Sequence, residues 1–407
     1  MAKRQLLDID AACEIVLDGL QALDPEQTDL KQAGGKFTVE SAVSPVDIPG
    51  FDNSIMDGFA VRAADTADAS PAMKVDLVIA GESRAGTPFG GTLEPGQAVT
   101  ISTGAPIPDG ADAVIQKELV TAEGGRLTLS SRVEAGHDIR RRGEIAKKGQ
   151  EILPAGTALG AIGMGALASI GVDSVSCHRK PRVSLLTSGD ELVEPGERLG
   201  PGQIWNSNRY SVSALIHEAG AELVSYGNVM DDRQATIDAL ELALESDLTV
   251  ICGGVSVGDH DHVRPSLAEL GVEQQFWGLA LKPGRPTWFG QRDGSRVLGL
   301  PGNPVSALVV FRLLAMPLLR MLAGGGPPGA RGTARLTGPV ERLGGRLRAV
   351  PCRPDPEGAP GDLAPMPQLG SHDFLSLVGA THLALIPPGA GRAEPGDVVE
   401  TLPLGGG

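Results

Sequence analysis

Val183-Ser184-Leu185-Leu186-Thr187-Ser188-Gly189-Asp190-Glu191-Leu192 begins as an apolar run and breaks into small and acidic residues. The pattern recurs twice. Leu248-Thr249-Val250-Ile251-Cys252 opens into Gly253-Gly254-Val255-Ser256-Val257-Gly258-Asp259-His260-Asp261, and Val297-Leu298-Gly299-Leu300 into Pro301-Gly302-Asn303-Pro304-Val305-Ser306. Short apolar runs bounded by turn residues read as strands buried on both faces. Helical patterns over 208–219, 233–245, 262–270 and 304–322 alternate with these strands and with further strands expected at 222–226 and 275–281. The alternation predicts a doubly wound α/β unit with a mainly parallel sheet and right-handed crossovers. Such sheets bind ligands outside the carboxyl ends of their strands, where all three small-residue turns lie.

The turns carry chemistry suited to a phosphorylated ligand. Asn303 followed by Pro304 is helix-start chemistry, and the N–H groups there stabilise an anion. An ordinary capped helix explains that motif alone equally well, and only its position beside two similar turns, with Pro301 leading in, favours a site. Ser188 and Gly189 let backbone approach a phosphate, while Asp190 and Glu191 offer oxygen ligands for Mg²⁺ or a proton relay. Gly253, Gly254 and Ser256 leave room for a ligand pressed against backbone. No P-loop lysine follows them, which excludes a Walker-type NTPase. Asp261 is preferred as a magnesium carboxylate over a transition-metal site built on His260 and His262, because no third imidazole is placed nearby. Asp231 of the Asp231-Asp232 pair is a further candidate ligand; a solvated helix start is the plain alternative. Lys282 and Arg285, on a Pro-Gly turn, supply charge for an oxyanion, and Arg140 in Arg140-Arg141-Arg142-Gly143-Glu144 is a candidate phosphate contact. No GxSxG elbow is present, so Ser-His-Asp catalysis has no support.

A chain of 407 residues holds two to four domains at roughly 150 residues each. A net charge of -15 argues against nucleic acid and anionic membrane surfaces, and 3% aromatic residues argue against a single-strand stacking platform. Cys13, Cys177, Cys252 and Cys352 are too scattered for a zinc or disulfide framework and suit buried thiols of a cytoplasmic protein. The first twenty residues carry charges throughout, unlike a signal peptide, and the glycine-rich stretch 159–172 is too short to span a bilayer. A helix over 5–24 is expected to pack on a Gly/Ala-rich helix over 157–171. Together they would form domain I (1–50 and 146–180) around an inserted β-rich domain II (51–145). Domain III is the α/β unit (181–325), with Pro317 expected to kink its last helix. After a Gly/Pro linker, 330–407 reads as a small β-barrel or sandwich, domain IV.

Taken in order, several strings resemble the MoeA family of molybdopterin molybdenumtransferases, which includes the E domain of gephyrin. They are 51–61 (Phe51-Asp52-Asn53-Ser54-Ile55-Met56-Asp57-Gly58-Phe59-Ala60-Val61), Thr103-Gly104-Ala105-Pro106, 140–144, 187–192, 253–261, Lys282-Pro283-Gly284, 301–306 and Gly370-Ser371-His372. Each is modest alone; the ordered set is specific. The resemblance implies four domains, the third binding molybdopterin and the last a β-barrel. It also implies an elongated homodimer whose cleft joins the third domain of one subunit to the second of its partner. It assigns Asp57, Thr103, Glu191, Asp231 and Asp261 to the active site, with Glu144 beside them. Ser256, Lys282, Ser306 and Ser371 fall at positions for molybdate or the pterin phosphate.

The implied reaction is Mg²⁺-dependent insertion of molybdate into adenylylated molybdopterin with release of AMP, with pathway proteins as possible partners. Two positions depart from the pattern: Ile145 stands where members often carry Asp, and Gly278 follows Trp277 where many carry a basic residue. Glu144 and Arg285 are expected to compensate. Two other readings are a molybdopterin adenylyltransferase and a non-catalytic pterin-binding scaffold. The extra domains weigh against the first, and the clustered acids against the second.

Overall fold

The computed structural model describes residues 6–229, 232–254, 262–327 and 329–405. Its central sheet runs in the order Glu222–Val229, Arg182–Ser188, Leu248–Cys252, Ser295–Leu300, Trp288–Arg292, Glu273–Trp277. The first four strands are parallel and the last two antiparallel. Leu248–Cys252, flanked by strands on both sides, is buried at every residue, which is why it reads as a continuous apolar run. On one face its Leu248 and Val250 pack with Val212 and Leu215 of helix Ser207–Glu218 and with Val305 and Val309 of helix Pro304–Val310. On the other, Ile251 packs with Leu240 of Arg233–Ala243 and Leu267 of Val263–Glu269. The result is a three-layer sandwich with its three turns at one edge.

The structure corrects several expectations. The first helix is Ile9–Leu17, capped by the Asp8 carboxylate and followed by Gly19 at φ +61°, a left-handed residue that stops the turn. It does not pack on the second helix. Ile9, Ala12 and Val16 join the α/β core, whereas Leu167 of Ala161–Ser169 packs with Ala33, Leu159 and Cys177. Apolar stripes tell a helix that it must be covered, but not by what.

The strand expected over 275–281 is two strands in two sheets. Glu273–Trp277 stays in the central sheet, and Leu281–Lys282 pairs in parallel with Leu347–Pro354 of the C-terminal region. Gly278 separates them at φ +92°, outside strand geometry, with its N–H on the Thr287 carbonyl at 2.8 Å. Trp288–Arg292 is a strand the sequence expectations omitted; it forms a hairpin with Ser295–Leu300 across Asp293-Gly294. Its Gly290 lies under the Trp288 ring, where a Cβ would come within 2.4 Å.

The last helix is α over Pro304–Val310, a wide π turn over Phe311–Ala315, and α again over Met316–Leu322. The turn widens just before Pro317, whose ring cannot fit an undisturbed α-helix. Residues Pro304–Leu322 are long and apolar enough to cross a membrane, yet 72% of the most apolar window is buried inside this core. Their hydropathy is that of a core helix.

Around the sandwich, Pro25–Asp29 pairs with Ser174–His178 and Ala42–Val43 with Glu151–Leu153. Between these pairings the chain builds a six-stranded sheet ordered Ala113–Gln116, Gly58–Val61, Gln97–Ile101, Val75–Ser83, Arg126–Leu129, Thr121–Glu123. The C-terminal sheet runs from Leu281–Lys282 through Leu347–Pro354, His382–Ile386 and Val398–Pro403 to Gly332–Arg335, barrel-like and open between its two ends.

Candidate active site

Three turns meet at the carboxyl edge of the central sheet. Gly253 and Gly254 have φ of +87° and +63°, and the Gly253 N–H reaches the Leu300 carbonyl at 3.1 Å. A Cβ on Gly253 would lie 2.8 Å from the Ser188 carbonyl oxygen. One on Gly254 would lie 2.6 Å from Val263 Cγ2 and 2.9 Å from Ser188 Oγ, and one on Gly302 would lie 3.7 Å from Gly253 Cα. Ser188, Gly253, Gly254 and Gly302 are therefore in contact, and glycine is what lets the turns close. Gly189 lies under the Glu191 carboxylate, one oxygen of which would be 2.3 Å from its Cβ. That carboxylate is exposed and makes no side-chain hydrogen bond or ion pair among the described residues, as does Asp190 expose its side chain at the same turn.

The scaffold behind these turns is polar and tied together. Asn206 is the N-cap of helix Ser207–Glu218. Its oxygen accepts from Arg209 N–H at 3.1 Å and its amide donates to Thr187 Oγ1 at 2.9 Å. Asn208 donates to the Gly302 carbonyl at 2.7 Å. Asp232 is the N-cap of helix Arg233–Ala243, so this half of the acidic pair is a helix start. Asp231, Ser256 and Asp261 lie outside the described residues.

Asn303 takes the N-cap position of Pro304–Val310, but its side chain does not cap. It donates instead to Ser371 Oγ at 2.9 Å, while the Val305 N–H donates to the Ser371 carbonyl at 3.1 Å. This clasp brings the C-terminal region over the turn and encloses a cavity of about 300 Å³. Lys282, Arg285, Arg346 and Arg348 line it together with Pro301, Asn303, Ser306 and Ser371, and no carboxylate does among the described residues. Lys282 stands opposite Arg348 in the parallel strand pair. Arg348 donates one N–H to the Glu341 carbonyl at 2.9 Å. Among the described residues, the side chains of Lys282, Arg285 and Arg346 have no hydrogen-bond or ion-pair partner.

Sequence reasoning found Lys282, Arg285, Ser306 and Ser371 but missed Arg346 and Arg348. The available signal was the Arg-Leu-Arg alternation at 346–348, which puts both cations on one strand face. A larger cavity, about 900 Å³, lies where strand Ser295–Leu300 begins, at the other edge of the sheet. Asp18, Glu241, Glu269, Glu273 and Asp293 line it with Arg292 and Arg296, a net negative lining that disfavours an oxyanion.

A second group sits in the β-rich sheet. Asp57 Oδ1 accepts from the Thr103 N–H at 2.7 Å and hydroxyl at 2.9 Å, with Lys117 Nζ 3.7 Å from the other oxygen. The Thr103 backbone N–H, then its hydroxyl, hold the Asp57 carboxyl below the usual carboxylate range. Arg141 and Arg142 are engaged by Asp52 and Asp47, and Glu144 accepts from the Arg141 N–H at 2.8 Å. Arg140 is half-buried in the strand paired with Asn53–Ser54. The bonding partners of Asp57, Thr103 and Glu144 all fall within the β-rich region, and none of them is a residue that lines the basic cavity. Exposed apolar side chains lie close in sequence to each group: Phe51, Ile55, Met56 and Ile145 to the acids, and Leu369, which lines the cavity, with Leu375 and Val378 following Ser371.

Two further points bear on the chemistry. Among the described residues, no three His, Cys, Asp or Glu side chains gather as a metal cluster; Glu191 offers one free oxygen ligand of the kind Mg²⁺ takes. Burial pushes the Cys252 thiol, at the end of the central strand, up to about 12, so it is no nucleophile at neutral pH. The departure at Gly278 has a structural cause. Its positive φ and a Leu6 Cδ2 that would lie 3.0 Å from a Cβ leave no place for a basic side chain.

Three family models match the chain: the MoeA N-terminal region (domain I and II) over residues 7–171, the probable molybdopterin binding domain over 184–321, and the MoeA C-terminal region (domain IV) over 333–404. The molybdopterin molybdenumtransferase of Haemophilus influenzae is 40% identical over 325 residues, 78% of each chain. Molybdopterin molybdenumtransferase 1 of Mycobacterium tuberculosis is 33% identical over 400 residues, 92% of this chain and 94% of its own. A crystal structure of the molybdopterin biosynthesis MoeA protein of Pyrococcus horikoshii superposes with a TM-score of 0.81 at 29% identity, covering 98% of this chain and 99% of that one.

Proposed function

Because the chain belongs to the MoeA family of molybdopterin molybdenumtransferases, enzymes of molybdenum cofactor biosynthesis, we propose that it inserts molybdate into adenylylated molybdopterin in a Mg²⁺-dependent reaction that releases AMP. The observation that carries this reading is the cavity lined by Lys282, Arg285, Arg346 and Arg348, with no carboxylate among its described lining residues, in a chain of net charge -15. Against so acidic a background, concentrated positive charge marks the place of a small dianion. The Ser306 and Ser371 hydroxyls and the Asn303 amide border the same space and add hydrogen bonds of fixed direction.

The diphosphate of the substrate belongs on the bare backbone of Ser188, Gly189, Gly253 and Gly254, where no side chain holds it away. Glu191, with Asp231 and Asp261, would hold the divalent cation, which supplies charge neutralisation at the phosphates. When the two dithiolene sulfurs replace oxo groups on molybdenum, each departing oxo group leaves as water and takes up two protons. The thiols supply part of these, and nearby acids relay the rest. Water then cleaves the phosphoanhydride, freeing AMP.

The acids in the β-rich sheet enter through a homodimer. Asp57, Thr103, Glu144 and Arg140 from one subunit would face the basic cavity of its partner, with the two exposed apolar rims covering one another. An interface of this kind suits the exposure of Leu369 (89%) and Ile145 (63%), large apolar surfaces otherwise left in water. A cytoplasmic location fits the proposed pathway.

The test is incubation of the purified chain with adenylylated molybdopterin, molybdate and Mg²⁺. AMP and metallated cofactor are the expected products, and omission of molybdate should prevent metallation. Formation of adenylate from ATP and molybdopterin, without metal insertion, would replace this reading by the adenylyltransferase one.

A further inference from the structure

We infer that Gln368 is an oxyanion-binding residue of the basic cavity, its terminal amide turning to donate a hydrogen bond to the bound anion. The inference deepens the reading of that cavity and rests on it. Gln368 lines the same space as Lys282, Arg348 and Ser371, on the segment clasped to the Pro301–Asn303 turn through Ser371. Its Nε2 is shielded from solvent and has no hydrogen-bond partner. A buried donor left unpaired is unfavourable, and proteins keep few of them. Here one lies at the wall of a cavity whose other polar groups are cations and hydroxyls.

In the position it occupies, the nitrogen is too enclosed to touch a ligand atom. The last torsion of a glutamine is soft, however, and a half-turn of the amide exposes the N–H₂ group. Without an anion the exposed amide would face the guanidinium and ammonium groups, where its N–H dipoles are repelled. With an anion present, the same rotation gives the donor a charge-assisted hydrogen bond while Oε1 turns into the enclosed position that Nε2 leaves. Binding thus draws on a group that is unsatisfied in the free protein. Gln368 is a small addition to the affinity supplied by the four cations, but it adds direction to a site otherwise built from flexible charges.

The experiment titrates the full-length chain with molybdate alone by calorimetry, for wild type, Gln368→Met, Gln368→Glu and Arg348→Met, and records thermal unfolding of each without ligand. Gln368→Met removes the unpaired donor while conserving volume. It should weaken molybdate binding by about tenfold, the usual scale of one hydrogen bond to a charged group, with an unfolding midpoint equal to or above that of wild type. Gln368→Glu should weaken binding further by placing a carboxylate against the anion. If Gln368→Met binds like wild type while Arg348→Met is impaired, the inference is overturned and the cavity reading stands. A lowered midpoint with unchanged affinity likewise assigns Gln368 a structural role only. Equal binding by all four proteins, or none by any, overturns both.

Discussion

Arg348→Met is the sharpest perturbation of the proposed oxyanion site. Arg348 is half-buried, stands opposite Lys282 across two parallel strands, and is oriented by one N–H on the Glu341 carbonyl at 2.9 Å. A unit charge about 4 Å from a dianion gains about 8 kcal/mol at an effective dielectric constant near 20, and about 2 kcal/mol in water. The cavity opens to solvent and both partners lose hydration on binding, so the gross figure overstates the effect. The measured scale of a hydrogen bond to a charged group, about 1.5–3 kcal/mol, is the better guide. At 1.4 kcal/mol per tenfold, the affinity for molybdate should fall roughly 10- to 150-fold. Arg348→Lys keeps the charge but loses the planar fork and its anchor, and should recover about half of that free energy. Arg353→Met, at the exposed far end of the same strand, is the control and should bind normally. Calorimetric titration of the full chain at low and high salt is the assay, since screening should shrink the difference. If Arg348→Met binds like wild type, or Arg353→Met loses as much, the cavity is not where the oxyanion sits.

Mixing Asp57→Asn with Arg348→Met tests the shared site: each variant alone should be nearly inactive, and after subunit exchange about a quarter of wild-type turnover should return. No recovery would place both groups in the service of one subunit. Gly254→Ala forces a Cβ within 2.6 Å of Val263 Cγ2 at φ +63°, whereas Gly294→Ala, at φ +85°, meets nothing within 4 Å. Both pay about 1–2 kcal/mol for the left-handed backbone, and Gly254→Ala should lose about 1–3 kcal/mol more to the clash; equal denaturation midpoints would contradict the packed turns. The Asp47 and Asp52 carboxyls are lowered chiefly by the Lys148 and Arg142 backbone N–H groups, respectively. Their stabilisation is complete above the unfolded carboxylate value of about 3.9 and is lost as pH falls through the lower folded values. Hydrogen exchange in 140–148, corrected for intrinsic rate, should therefore stay constant from about pH 7 to pH 5 and rise only in stronger acid. Burial pushes the Cys352 thiol up to about 11 and that of Cys252 up to about 12. A thiol reagent at about pH 8 should label the half-buried Cys13 well before either, as read by peptide mass mapping.

The strand-turn units at 183–192, 248–254 and 297–306 were legible because a strand buried on both faces must be largely apolar, while turns that pack backbone on backbone must be small. Those constraints act residue by residue, so they survive in a linear string. The split at Gly278 was not legible, because it depends on Leu7, far away in sequence, whose N–H donates to the Gly278 carbonyl. The strand Trp288–Arg292 had a local signal that went unread: it forms a hairpin with Ser295–Leu300 across the two-residue Asp293-Gly294 turn. Asn303 shows the same limit at the scale of one side chain. Its position at a helix start was readable, but its use as a clasp for Ser371 was not, because Ser371 lies 68 residues away.

By itself, then, the sequence determined the class of fold, the edge of the sheet that would carry the site, and the ordered motifs of a molybdopterin enzyme. Local pattern suffices for these, since period, turn chemistry and charge type are properties of neighbours along the chain. Only tertiary structure decided that Leu281–Lys282 leaves one sheet to join another, bringing Arg346 and Arg348 beside Lys282 and Arg285. Four like charges repel, and no local rule gathers them; the pairing of Leu281–Lys282 with Leu347–Pro354 holds them together, and the proposed oxyanion site depends on that pairing.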